Sequence, residues 1–409
     1  MLKVLRHPVF ARLFAAQIVA LTGTGLLTVA LALLAYDLAG DRAGAVLGTA
    51  LTIKMLAYVG VAPLAAALFA ALPRKAVLIG ADLVRAGMAM LLPFITEIWQ
   101  IYVLIFVLQT ASATFSPAFQ AVIPDVLRDE EEYTNALSLS RLAFDIETLV
   151  SPALAGVLLV VMSYSTLFLG TVVGLLASAL LILGTQLPPQ GKTRPRPFLD
   201  RLTRGVRLYL AEPRLRGLLA LNMGVAAVIA FVLVDTVVLV RAGFGGNERD
   251  VALALAAFGA GSMLVALVLP RVLRRVPDRA VMLTGGAGLV GLGLAYGLAM
   301  LAGAGGWVVL LAAWAGLGAL NAAVLTPAGR LLKRSSGGED RAALFTAHFA
   351  LSHACWLLAY PAAGWLGPAI GLPGTLLVLA GTAAVAVSVA VRVWPKARAQ
   401  RPASQSSNG

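Results

Sequence analysis

The chain has 409 residues, 60% of them hydrophobic and 12% charged, with a formal net charge of +13. Soluble domains run at about 45–50% apolar and ~25% charged, so a water-facing globule of this composition is excluded and lipid has to solvate much of the surface. The basic residues fall in short gaps between apolar runs, not on one face beside aromatic readers, which excludes nucleic acid as the partner and fits loops against an anionic leaflet.

A helix crosses the ~30 Å hydrocarbon core in about 20 residues, and lipid-exposed backbone has to satisfy its own hydrogen bonds. Apolar runs of that length therefore predict membrane helices. Twelve are present, at 10–38, 43–71, 76–96, 98–122, 134–162, 164–187, 214–241, 250–273, 279–302, 306–332, 341–367 and 370–393. The first follows Lys3, Arg6 and Arg12 but far exceeds the ~7–15 apolar residues of a cleavable signal, so it is expected to remain. With a cytoplasmic N-terminus, all but four of the 32 Lys and Arg lie inside or at inner helix ends. The exceptions are Arg42, Arg241 and Arg249, which fall outside, and Lys54, which lies within the second run. The positive-inside rule then places both termini in the cytoplasm.

Charges inside these runs stand out, because a charge at the bilayer centre costs roughly 2.5–3.5 kcal/mol on insertion scales. Lys54 sits near the middle of the second run, too deep for its side chain to reach either surface easily, and is read as a functional or gating residue. The third run carries Asp82 and Arg85, three apart and able to pair. The fifth carries Arg141, Asp145 and Glu147. Arg141 and Asp145 share a helix face and are expected to pair. Glu147 points about 200° away from Asp145, which makes it the better proton carrier, although the two roles could be exchanged. Asp235 falls near the outer end of the seventh run and is expected at a solvated mouth. In the eleventh run His348 and Cys355 share a stripe while His353 points elsewhere, so a metal would need ligands from other helices. Packing is the simpler reading for all three, and contact with a substrate or proton the sharper one. Cys355 is the single cysteine, so no intrachain disulfide can form.

Between the sixth and seventh runs, residues 188–213 are basic and broken by proline. Their second part predicts an amphipathic helix on the inner surface. This connector divides the chain into a first half, 1–187, and a second half, 214–393, followed by a polar cytoplasmic tail, 394–409, expected to be disordered. The halves are alike. Pro152 and Pro361 sit at matching places in the fifth and eleventh runs, and Pro117 and Pro327 in the fourth and tenth. A parallel repeat of this kind suits a solute path between two halves that rock against each other. Gly286-Ala287-Gly288-Leu289-Val290-Gly291 spells a dinucleotide fingerprint, but no strand precedes it and it reads as helix packing. There is no phosphate-loop motif, no catalytic triad and no metal-hydrolase spacing, so neither ATP nor another cofactor is expected, and the chain does not read as an enzyme.

At this point the sequence resembles the major facilitator superfamily of secondary transporters. FSPAFQAVIPDVL, the acidic run from Asp129 to Glu132 and NALSLSRL look like the fourth-to-fifth-helix region of its exporters. Ser151-Pro152-Ala153-Leu154-Ala155-Gly156 is similar to the family's fifth-helix antiporter motif, with Ser in place of Gly; Ser151, Pro152 and Gly156 carry that likeness. Arg74 and Lys75 stand where the family has the basic pair of its inner-gate loop. The loop's central Asp is missing near Phe69 and Ala70, and Asp82 with Arg85 is the candidate substitute. RLAFDIETLVSPALAG and FALSHACWLLAYPAAGWLG look most like bacterial nickel-resistance permeases, with siderophore and drug exporters as the wider neighbourhood. The tail lacks the histidines common in nickel-resistance members.

The resemblance implies an all-helical fold of twelve membrane helices in two six-helix repeats. It implies a multi-pass protein of the bacterial inner membrane that acts as a monomer, with the bilayer, protons and a small solute or ion as partners. It also implies proton-coupled export by alternating access, with a nickel or cobalt exporter as the alternative. A non-transporting receptor or scaffold would want a large loop or soluble module, and the outer loops are short. By analogy the first, fourth, seventh and tenth helices line the path, making Gln17, Thr22, Thr24, Gln109, Ser112, Asn222 and Asn321 candidate substrate contacts, with His348, His353 and Cys355 from the eleventh.

Overall fold

The computed structural model describes residues 2–39, 43–69, 72–159, 161–188, 197–337 and 339–394. Ala70, Arg42, most of the connector before Pro197 and the tail beyond Trp394 lie outside the described residues, as do the side chains of Ser151, Pro152 and Gly156. All regular elements among the described residues are helical.

In chain order α1 is Pro8–Ala39, and α2 runs from Ala43–Leu56 through a π turn at Ala57–Val61 into Ala62–Leu68. There follow α3 (Arg74–Leu91), α4 (Ile98–Val126), α5 (Glu130–Leu158) and α6 (Tyr164–Leu183). The connector holds α7 (Phe198–Ala211). The second half has α8 (Pro213–Val238), α9 (Glu248–Val272), α10 (Asp278–Leu301) and α11, which is Trp307–Leu325 continued past Pro327 by Ala328–Arg334. The last helical stretch, Arg341–Val393, has its path broken at Gly371 (φ 75°, ψ 162°), which separates α12 (341–370) from α13 (372–393). Six helices on each side of α7 give the twelve-span, two-repeat architecture.

Local sequence sets the starts of several helices. Asp129 caps α5 by accepting from the Glu132 backbone N–H at 2.9 Å, and Glu130, Glu131 and Glu132 place negative charge at its positive end. Capping boxes begin α4 (Glu97 with Gln100) and α9 (Asn247 with Asp250).

Nine of the described helices are long and apolar enough to cross a membrane, one of them the fused α12–α13 stretch. Large apolar side chains project from the outer surface, among them Phe94 at 75%, Val308 at 76% and Trp365 at 79% exposure. Water could not accept a belt of that size, whereas lipid does. Within the first half α1 packs on α6 and α5, and α3 on α4 and α6; within the second, α8 packs on the α12–α13 stretch and α9 on α11. The α9–α11 contact depends on two glycines. A Cβ on Gly261 would stand 1.8 Å from the Ala315 carbonyl oxygen, and one on Gly318 would stand 1.8 Å from that of Phe258, so the backbones touch directly. The halves meet along two seams, α5 against α9, and α2 with α4 against α12.

Candidate functional site

Two layers of charged residues span the seams, one at mid-depth and one at the end that gathers the basic residues. At mid-depth Arg141 reaches Asp145 one turn along α5 (Nη2 to Oδ1, 3.0 Å), and its Nε donates to Ser262 Oγ of α9 at 3.0 Å. Asp145 is 7% exposed, with Oδ2 buried and without a hydrogen-bond partner. A local ion pair in the first half is thus tied to the second.

On the other seam Lys54 lies with its Nζ 5.6 Å from the Tyr58 ring centre, on the turn where α2 becomes π-helical. π turns widen a helix and are common at functional positions. Tyr58 meets Phe349 (4.9 Å between ring centres) and His353 (4.8 Å, edge to face), both on α12. Lys54 is close enough to act electrostatically on Glu147 of α5 and on His353. Lys54, Glu147 and His353, from three separate runs, therefore share one interior region.

The basic end is closed by ion pairs between the halves. Asp125, at the end of α4, binds both Arg74 of α3 and Arg341 of α12. Asp278 of α10 holds Arg330 (3.0 Å) and Arg334 of the second half, and both arginines also reach Glu130 at the start of α5. Arg274 pairs with Glu131, and Lys333 Nζ donates to the carbonyls of Leu127 and Arg128 at 3.0 and 2.9 Å. Arg330 also donates to Thr134 Oγ1 at 2.6 Å. The linker helix joins this layer. Arg204 forks onto Asp340 at 2.6 and 2.8 Å, a hydrogen-bonded pair that holds its guanidinium above the ordinary arginine range.

Three groups of the expected residues have definite surroundings. Asp82 and Arg85 do pair at 2.9 Å, but inside the first half, where Ser178 donates to Asp82 at 2.7 Å and Arg85 reaches Thr24 at 3.1 Å and lies over Phe115. Arg74 of the expected gate loop pairs instead with Asp125 at the end of α4, and Lys75 next to it is half-buried. Asp235 is not solvated. It is 4% exposed, packed near Gly367 of α12, and its Oδ2 is buried without a hydrogen-bond partner.

The third group lies on α12. His348 Nδ1 meets the Tyr209 hydroxyl of α7 at 3.1 Å with the rings stacked, while His353 Nδ1 lies 2.7 Å from the Phe349 carbonyl and Cys355 Sγ donates to Leu351 O. The two histidines thus have separate partners. Among the described residues no three or more His, Cys, Asp or Glu form a group suited to a metal ion.

Of the other polar candidates, Gln17 is buried and accepts from Ser140, whereas Thr22 and Ser112 donate to their own helix's carbonyls. Asn222 is buried and donates to Leu218 O; Asn321 is 3% exposed with its Oδ1 lacking a hydrogen-bond partner. Gln109 is half-buried on α4. Sequence reasoning missed Asp125, Asp278 and Arg330. Asp125 had a signal, being an acid that directly ends an apolar run.

Residues 13–296 match the family described as the Major Facilitator Superfamily. The chain belongs to the Major Facilitator Superfamily. Its members are membrane transporters, not enzymes. Macrolide efflux protein A of Streptococcus pyogenes is 26% identical over 187 residues, 44% of this chain and 45% of that one. The transporter YfiS of Bacillus subtilis is 26% identical over 231 residues, 54% and 53% of the two chains. The chain spans about half the length of the curated relatives it matches. Among solved structures, a bacterial homologue of the iron transporter ferroportin in an outward-facing state superposes with TM-score 0.78 at 14% identity, over 94% of this chain and 99% of that one. The E. coli fucose:proton symporter superposes with TM-score 0.74 at 18% identity, over 95% and 98%. At such identities the likeness is one of fold.

Proposed function

We propose that the chain is a secondary active transporter that exports a small organic solute across the bacterial inner membrane in exchange for protons, with both termini cytoplasmic. The observation that carries this reading is the mid-depth layer, where Lys54, Glu147 and His353 share one interior region beside the Arg141–Asp145–Ser262 link. A carboxylate held inside the membrane body can shed its charge by taking a proton, and an adjacent ammonium responds to that change. In this reading Glu147 carries the proton and Lys54 registers it. Asp145 stays the partner of Arg141 across the seam. In the same reading the ion pairs on Asp125, Asp278 and Glu130 close the cytoplasmic end, which would correspond to the outward-facing half of an alternating-access cycle. The fifth-helix residues Ser151, Pro152 and Gly156 would shape the outer gate.

Macrolide efflux proteins among the relatives support an organic cargo. A nickel or cobalt cargo would need His348 and His353 to converge, and their partners keep them apart. The test is transport in everted vesicles, with macrolides and other lipophilic drugs as first substrates. Glu147→Gln is expected to abolish uptake driven by a pH gradient while substrate exchange without a gradient survives. Full gradient-driven activity in both Glu147→Gln and Asp145→Asn would sink the coupling scheme. Raised nickel tolerance with unchanged drug tolerance would sink the choice of cargo.

A further inference from the structure

A cavity of about 160 Å³ lies at the basic end, enclosed by the end of α2, the inner half of α4, the start of α12 and the linker helix α7. Its deeper wall is small and apolar, formed by Ala62, Ala66, Pro117, Ala118 and Ala347. Its mouth is charged, with Arg74, Arg201 and Arg204 near Glu339 and Asp340. Arg204 is taken up by Asp340 and Arg74 by Asp125. Arg201 makes no ion pair among the described residues, and its Nε is buried without a hydrogen-bond partner. With Asp125 and its second partner Arg341 included, four guanidiniums face three carboxylates. Among the described residues the mouth keeps one net positive charge and two buried guanidinium nitrogens without a hydrogen-bond partner, Nε of Arg201 and Nε of Arg341, of which only Arg201 lacks an ion pair as well.

A guanidinium nitrogen buried without a partner costs free energy that an anionic ligand would recover. The planar fork of arginine matches phosphate oxygens. A single excess charge, with Glu339 at the rim, suits a singly charged phosphodiester better than inorganic phosphate, since a phosphomonoester carries roughly −1.5 to −2 at pH 7. The adjoining alanine-and-proline wall offers an apolar slot that a free ion would not use. We propose that this cavity holds the headgroup of an anionic phospholipid from the cytoplasmic leaflet, with Arg201 as its principal ligand and an acyl chain against the small-residue wall. The lipid would tie α7 of the connector to α2 and α4 of the first half, across the seam with α12. The proposal depends on membrane insertion, not on the cargo or its coupling, so it can fail or succeed independently of the export reading.

The experiment is native mass spectrometry of the purified full-length protein during stepwise delipidation, with phosphatidylglycerol and phosphatidylcholine supplied together. The wild type is expected to retain phosphatidylglycerol preferentially. Arg201→Gln is expected to reduce that preference about fivefold, the effect of removing one basic contact to an anionic lipid. Ala66→Leu keeps every charge but fills the slot and should reduce retention as well, which guards against a simple folding defect in the arginine variant. Arg216→Gln, an exposed arginine outside the cavity, should leave the preference unchanged. Equal retention of the two lipids by the wild type, undiminished preference in Arg201→Gln or in Ala66→Leu, or an equal loss in Arg216→Gln would overturn the proposal. So would displacement of the lipid by inorganic phosphate at matched concentration, which would mark a free-anion site.

Discussion

Asp125 holds one arginine from each half with a single carboxylate, so it links Arg74 of its own half to Arg341 across the seam. Removing its charge leaves Arg74 and Arg341 facing each other, both largely buried. Asp125→Asn is therefore expected to weaken the closed conformation by about 1–3 kcal/mol, the usual penalty for orphaning a buried charged group. Hydrogen exchange should then rise at the starts of α3 and α12. Unchanged exchange there would mean that Asp278 and Glu130 hold the closure without Asp125. Asp235 gives a prediction of opposite sign. Its carboxylate is buried with one oxygen lacking a hydrogen-bond partner, so the neutral Asp235→Asn should keep or raise thermal stability in detergent, by up to about 1–3 kcal/mol. A clear loss of stability would show that the charged form has a partner. The contrast also shows what a sequence exposes at this scale. Arg141 and Asp145 are one helical turn apart, and their pairing follows from spacing alone. The partners of Asp125 lie 51 and 216 residues away, and no local pattern reports a contact of that range.

Among the elements, α9 and α11 have the least room to change, because each presents a glycine to the other's backbone. Gly318→Leu should force these helices apart and cost about 1–3 kcal/mol or more, the usual range for overpacking. A lowered melting temperature and poor membrane yield would record it; wild-type melting would mean the helices can shift freely. Element positions were largely readable beforehand, since a run of some twenty apolar residues has few alternatives in lipid. The predicted gap between the eleventh and twelfth runs, at 368–369, lies two residues before Gly371, where the helical path breaks. The π turn at Ala57–Val61 was not readable. It depends on how α2 packs against α4 and α12 and has no composition of its own. The role of α7 was only half readable. Its amphipathic pattern was clear, but its contacts to Asp340 and His348 are tertiary.

For the molecule as a whole, the proposed orientation places α7 and the C-terminal tail on the same cytoplasmic face. Reporter fusions after α7 and after α13 should therefore give the same cytoplasmic signal, and opposite signals would refute the twelve-span topology. The fold was legible because composition and periodic spacing dictate it, and the repeat shows in the matched prolines. The interior was less so. Glu147 and Lys54 were singled out as costly charges, but their shared region with His353 arises only when α2, α5 and α12 assemble.

One consequence follows from Cys355, the only cysteine in the chain, which sits on α12 and is 7% exposed. Maleimide reagents should find almost nothing to modify in the native protein. Spin labels or fluorophores can then be attached at chosen sites on either face without first stripping out a background. Slow reaction of the native thiol, if it speeds up when substrate is added, would itself time the loosening of α12.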